Sequence, residues 1–311
     1  MKSKLLYIFT RTPLHIGAGA SVGAIDQPIQ RERHTEFPVI PATSLKGSFA
    51  DHWNESLLEE APDKDGKVKK VRVTQGGGFS ESSWLFGSDS DKTSFAGSLI
   101  FSEARLLAFP IRSAKGSFAW ITCPLLLQRA KRDKVLSVNI PAEIKDEQAI
   151  FLAGNDSKLA IGNQIVLEEY CFTHTGTYPA DLAKEISDLI PDELFQSIAE
   201  RLVIVSNGTL SHFVTTACEI AQHVRISDET GTAEEGGLFN QENVPADTLF
   251  YSVLSATASR VPHPDFKDKT GDNALTTFSD KVTKLGVFQF GGDASTGLGF
   301  TTVNIREPKG A

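Results

Sequence analysis

The alternation of apolar and polar positions divides the chain into readable elements. Lys4–Thr10 places Leu5, Tyr7 and Phe9 on one side of a strand and Leu6 and Ile8 on the other. Apolar residues on both sides predict a central strand covered on both faces. His15–Pro41 then breaks the regularity, because Gly17, Gly19, Gly23, Pro28, Pro38 and Pro41 favour turns over ladders. A helix is expected to open at Thr43 or Ser44, either of which can cap free amides behind Pro41. Leu45, Phe49, Trp53 and Leu57 follow at four-residue spacing, one stripe for a core. Residues 61–95 turn polar and glycine-rich and predict an exposed insertion, with a short strand near Lys69–Thr74. Strand-like runs resume at Ser98–Phe109 and Ser117–Cys123.

Residues 180–203 predict a helical insertion of two helices broken at Pro191. Phe213–Ile226 and Leu249–Ala256 read as strands flanking a polar tip, Ser227–Asp247, which is too long for a tight hairpin. The chain closes with a strand at Val287–Phe290, the glycine-dense GGDASTGLG (Gly291–Gly299) and a strand to about Ile305. This order is that of an α+β domain, compatible with a ferredoxin-like βαββαβ core carrying large insertions. No repeat and no Pro/Ser-rich linker interrupts it, so residues 1–311 are expected to form one elaborated domain.

Composition changes little in this picture. With 40% hydrophobic residues, a sizeable core is expected. The formal net charge of −8, from 31 basic and 39 acidic residues, argues against a promiscuous nucleic-acid binder. It leaves room for local basic sites. No stretch approaches the ~18 apolar residues that span a bilayer, and the N-terminal apolar run is too short for a signal peptide. Cys123, Cys171 and Cys218 are far apart and show no zinc or disulfide spacing, so free thiols in a reducing cytoplasm are expected. Among the histidines no metal-ligand spacing occurs.

The candidate chemistry lies in the loops. Gly17–Gly23 has GxGxxxG spacing and is followed by prolines, so a dinucleotide fingerprint fails. Sharp bending or close approach to a ligand explains these glycines better. Asp26, beside Pro28, reads either as a turn-forming aspartate or as a reactive carboxylate. Arg31, Arg33 and His34 concentrate positive charge downstream, and Ser44 and Lys46 sit where a helix start presents free amides to a phosphate. The later loop lacks the Walker GK[ST], but its glycines let backbone amides approach an anion. Gln128–Lys134 is a basic island that reads equally as a solvated face or an RNA contact.

Taken together, TPLHIGAG, IDQPIQRER, FPVIPATSLKG and GGDASTGLGF resemble the RAMP superfamily of CRISPR RNA-binding proteins. Within it they look like the repeated backbone subunit of the type III-B (Cmr) effector, with Glu219–Leu254 similar to that family's thumb. The resemblance implies copies stacked along a guide RNA, other effector subunits as partners, and cleavage of complementary target RNA at regular intervals. It places a thumb at about residues 213–254. It makes Asp26 the cleavage residue, with a divalent metal (Mg2+ or Mn2+) shared with RNA phosphates. His15 is a further candidate as acid or base, and Glu235 a weaker one. Arg31, Arg33, Ser44, Lys46, Gly291, Gly292, Ser295, Thr296, Gly297 and Gly299 become guide-RNA contacts. A non-catalytic structural subunit, and the sister type III-A backbone subunit, are the alternatives.

Overall fold

In the computed structural model the described residues are 2–19, 23–53, 58–62, 68–72, 79–90, 93–154 and 157–310. Six elements make the frame: β1 (Ser3–Thr10), α1 (Ala42–Trp53), β2 (Ala104–Ser113), β3 (Leu249–Ala256), α2 (Gly271–Leu285) and β4 (Phe300–Arg306). β1 lies between β3 and β4, with Tyr7 opposite Tyr251 on one side and Asn304 on the other. β3 in turn pairs with β2, so the order is β2-β3-β1-β4 and every neighbour is antiparallel. Two β-α-β units interleaved in this way are the ferredoxin-like arrangement. Beyond β2 the sheet continues through Ser117–Thr122, Leu202–Ile204 and Gln148–Ile150.

The central position expected for β1 follows from its side chains. Leu6 and Ile8 join the core beneath α1 and α2, where Phe49 meets Phe278, Phe288 and Phe290 at ring separations of 5.0, 5.0 and 5.2 Å. Leu5, Tyr7 and Phe9 face the opposite core, against Trp120, Phe195 and the insertion residues Leu182 and Ile186. Of the predicted α1 stripe, Leu45 and Phe49 are buried and Trp53 stacks on Phe278, while Leu57 lies outside the described residues.

Several expectations need correction. α1 starts at Ala42, directly behind Pro41, so Thr43 and Ser44 lie within its first turn instead of capping it. Residues 61–95 are not uniformly exposed: Trp84, Leu85 and Phe86, in the helix Glu81–Phe86, are buried in the main core. A strand Val68–Arg72 pairs with Leu58–Pro62, and Thr74 lies outside the described residues. Phe213 belongs to a helix, Asn207–Thr216, whose start is capped by Ser206 Oγ accepting the Thr209 N–H at 2.9 Å. Most of the expected polar tip is a strand. Glu219–Ile226 pairs antiparallel with Ala233–Asn243, from Glu219 opposite Asn243 to Ile226 opposite Ala233. Leu249–Ala256 does not flank that hairpin, because it is β3 of the central sheet. The basic island forms the end of a helix, Pro124–Arg132, with Leu126, Leu127 and Ala130 buried.

α2 has no counterpart among the expected elements, although Thr270 and Asn273 form a capping box and Gly286 ends the helix at φ 67°. No helix of the described residues is long and apolar enough to cross a membrane.

Candidate active site

The site is assembled on one strand edge. In the hairpin Glu219–Ile226/Ala233–Asn243, hereafter the thumb, the inner edge of the returning strand pairs with the outgoing one. Its outer edge near the base would be left with free backbone groups, which need partners when buried. Two loop segments supply them. Asn240 N–H donates to Asp26 Oδ2 at 2.9 Å, and Asp26 N–H donates to Asn240 Oδ1 at 2.8 Å. Gln27 then exchanges backbone bonds with Asn240 O (3.1 Å) and Glu242 N (3.0 Å). His15 Nδ1 meets Glu242 O at 2.7 Å, and Leu14 exchanges both backbone bonds with Val244. Asp26 and His15 are therefore anchored two residues apart on one edge, a spacing of roughly 7 Å along the strand.

The anchor also fixes the histidine tautomer. A carbonyl oxygen cannot donate, so His15 Nδ1 carries the proton and the neutral ring keeps its lone pair on Nε2. A β-carbon at Gly17 would stand 3.0 Å from that Nε2, so glycine leaves the nitrogen uncovered. Asp26 is exposed and His15 almost buried, at 8% exposure. The arrangement offers a solvent-facing carboxylate beside a ring of defined tautomer, which is the equipment for proton transfer.

Behind this pair stands Glu242, 2% exposed. Its Oε2 accepts the Ile29 N–H at 3.0 Å and its Oε1 accepts Arg31 Nη2 at 2.5 Å. Arg31 also donates to Glu36 O (2.7 Å) and approaches Cys218 Sγ (3.4 Å). Burial pushes the Cys218 thiol up to about 12, so beside Arg31 it is a neutral packing group. Arg31 is thus turned inward and half-buried, and its guanidinium holds the loop on the thumb base instead of pointing at an open surface.

The glycine-dense loop closes the other side. Gly292 N–H donates to His15 O at 3.0 Å, and Asp293 Oδ2 accepts Gln241 Nε2 at 3.0 Å. Gly291 has φ 79°, and a β-carbon there would collide with His15 O, so backbone contact demands glycine. Gly299, at φ 77°, is pressed equally hard against Phe290 O. Bonds within the loop use the amides of Thr296, Gly297 and Leu298 and the Thr296 hydroxyl, the Gly299 amide donates to Pro13 O at 2.8 Å, and Ser295 is exposed.

Other expected residues lie apart. Lys46 is exposed on the first turns of α1 and, with Thr43 and Arg260, lines a cleft of about 280 Å3. Ser44 is partly buried in that turn and Arg33 is exposed on the turn after Arg31. Glu235 is exposed near the tip of the thumb, five residues and roughly 16 Å of strand from Asn240, so it does not meet Asp26 of its own chain. Among the described residues no group of three or more His, Cys, Asp or Glu could hold a metal ion. The residues missed by sequence reasoning are Asn240, Gln241, Glu242 and Asp293. Asn-Gln-Glu-Asn carries no apolar alternation, so the strand that presents them leaves no periodic signal.

A model of the RAMP superfamily matches residues 8–302. The chain is 33% identical over 315 residues to the CRISPR system Cmr endoribonuclease Cmr4 of Pyrococcus furiosus, a match covering 99% of this chain and 97% of that protein. The crystal structure of oligomeric Cmr4 from Pyrococcus furiosus aligns with a TM-score of 0.68 and 27% identity, over 99% of this chain and 100% of that one. The same fold occurs in the cryo-EM structure of the type III-B Cmr-beta bound to cognate target RNA, with a TM-score of 0.69, 19% identity and coverage of 98% and 97%. Across nearly its whole length, and with its ferredoxin-like frame, this chain belongs to the RAMP superfamily.

Proposed function

We propose that the chain is the repeated backbone subunit of a type III-B CRISPR effector, a cytoplasmic endoribonuclease that stacks along a guide RNA and cuts complementary target RNA at regular intervals. The full-length similarity to a Cmr endoribonuclease supports this reading. The observation that carries the catalytic part is the shared strand edge, which anchors the Asp26 carboxylate and the His15 imidazole two residues apart.

RNA brings its own nucleophile, so the protein needs chiefly a base, an acid and in-line geometry. Asp26 accepts the proton of the 2′-hydroxyl as its oxygen forms a bond to the adjacent phosphorus. The bond from phosphorus to the 5′-oxygen breaks, leaving a 2′,3′-cyclic phosphate. The departing oxygen takes a proton from water, either directly or by way of the His15 Nε2 lone pair. Asn240 keeps the base in place by occupying one carboxylate oxygen, while the other accepts no hydrogen bond among the described residues. Asp26 alone does not make a resident metal site. A Mg2+ or Mn2+ ion there would take its other ligands from RNA phosphates and water, and would supply positive charge for the developing phosphorane.

In the same reading Arg33, Ser44, Lys46 and the loop Gly291–Gly299 bind guide-RNA phosphates, and Arg31 acts through Glu242. The decisive test is Asp26→Ala in a complex reconstituted with guide RNA and its partner subunits. Target cleavage at even spacing should vanish while guide and target binding stay within about twofold. Undiminished cutting by the variant would remove Asp26 from the mechanism and favour a non-catalytic scaffold.

A further inference from the structure

The glycine-dense loop is fastened to the site from two directions. Backbone bonds tie it to the segment that carries His15: Gly292 N–H donates to His15 O at 3.0 Å, and Gly299 N–H donates to Pro13 O at 2.8 Å. A side-chain bond ties it to the strand on which Asp26 is anchored. Gln241 lies between Asn240, which holds Asp26, and Glu242, which holds His15, and strand alternation sends its side chain to the opposite face. There it is 2% exposed, and its Nε2 donates to Asp293 Oδ2 at 3.0 Å and to Asn243 Oδ1 at 3.1 Å. Both amide hydrogens are thereby used.

Asp293 stands there against two costs. It holds φ 59°, in the left-handed region, within a loop whose other left-handed positions, Gly291, Gly297 and Gly299, are glycine. Its carboxylate also opposes the phosphates that the loop is read as binding. The shape of the loop does not depend on that side chain. Asp293 O, a backbone atom, accepts the amides of Thr296 (3.1 Å) and Leu298 (3.2 Å) and the Thr296 hydroxyl (2.9 Å). Among the described residues the carboxylate has a single hydrogen-bond partner, Gln241. If the side chain were idle, glycine would suit this φ better, so the bond to Gln241 is what the aspartate supplies.

We infer that Asp293 and Gln241 form a strut between the guide-binding loop and the strand beneath the site, and that they are positioning residues for target cleavage. Backbone bonds set the loop against His15, and the strut sets it against the strand that holds Asp26. The Asp26 carboxylate is thereby kept in register with the RNA phosphates that the loop grips. In-line attack tolerates little displacement, since a misplacement of about 1 Å costs roughly 100-fold in rate. The inference rests on the reading of the chain as an RNA-cutting backbone subunit, and adds to it two residues that act through Asp26 instead of on the reacting atoms.

The test uses the complex reconstituted with guide RNA and its partner subunits. Single-turnover cleavage is followed across target concentrations, which separates the rate constant from half-saturation. Asp293→Gly keeps the left-handed backbone and removes the strut. Its rate constant should fall at least about tenfold, while half-saturation and guide affinity stay within about twofold of the parent. Asp293→Asn keeps an oxygen acceptor without the charge, and should bring the rate constant back to within about threefold. An unchanged rate constant in Asp293→Gly overturns the strut. Equal losses in both variants overturn it too, because they assign the role to the negative charge and not to the bond. Guide affinity falling in step with the rate would make Asp293 part of the RNA grip alone, again overturning the strut. Asp26→Ala in the same assay separates the two readings. If it cuts as fast as the parent, the reading of Asp26 falls and the strut with it. If it is inactive while Asp293→Gly cuts at the parent rate, only the strut falls.

Discussion

Glu242→Gln isolates the buried charge that ties the catalytic loop to the thumb. The substitution keeps an acceptor for the Ile29 N–H but removes the partner of Arg31, whose side chain is only 14% exposed against 3% for Glu242. Removing one member of a buried pair costs about 3–5 kcal/mol, most of it the penalty of the charge left behind. Arg31 retains its bond to Glu36 O, so the low end, about 3 kcal/mol, is expected. Unfolding entropy of about 2.1 cal/mol/K per residue gives roughly 0.65 kcal/mol/K for 311 residues, so the melting temperature should fall by about 5 °C. Calorimetry on wild type, Glu242→Gln, Arg31→Met and the double variant forms a closed cycle. Because the double variant strands no charge, it should recover at least half of the summed single losses. Strictly additive losses would show that the pair is not coupled and that the loop is held by its backbone bonds alone.

Three further outcomes follow from the geometry. Gly17→Ala should fold normally yet cover His15 Nε2, lowering target cleavage at least about tenfold with guide binding intact; an unchanged rate would remove His15 from proton transfer. Lys46→Glu should weaken guide-RNA binding equally for all sequences and reduce the salt slope by about one contact, so an unaltered slope counts against a phosphate role. Burial alone would raise the Glu32 carboxyl, but hydrogen bonds from Thr35 and Arg129 and the charges of Arg129 and His34 outweigh it and hold the group below its ordinary 4.5. A lowered pKa in the folded state contributes stability above pH 4.5 that is lost as pH falls through the folded value. The melting-temperature gap between wild type and Arg129→Gln should therefore narrow below pH 4.5, and a constant gap would refute the linkage.

How far the chain could be read beforehand varied with the physics of each element. Strand β1 was legible because its burial is double-sided, and α1 because its apolar stripe repeats every turn. The helix α2 carries local signals as well, in the capping residues Thr270 and Asn273 and the terminating Gly286. The thumb's returning strand was not legible. Its base residues satisfy one another by hydrogen bonds across loops, and such bonds impose no period on the sequence.

The same division runs through the site. By itself the sequence determined the chemical inventory: a carboxylate at Asp26, an imidazole at His15, glycines where backbones must touch, and an α+β order. Only the tertiary structure decided what each group faces. Arg31 looks like an RNA contact in the sequence, yet it is turned inward because buried Glu242 needs a counter-charge. Asp26 and His15, eleven residues apart, become partners because both satisfy the free edge of a strand more than two hundred residues away. Residue types are local, whereas unpaired backbone groups and buried charges find their partners only when the whole chain has closed around them.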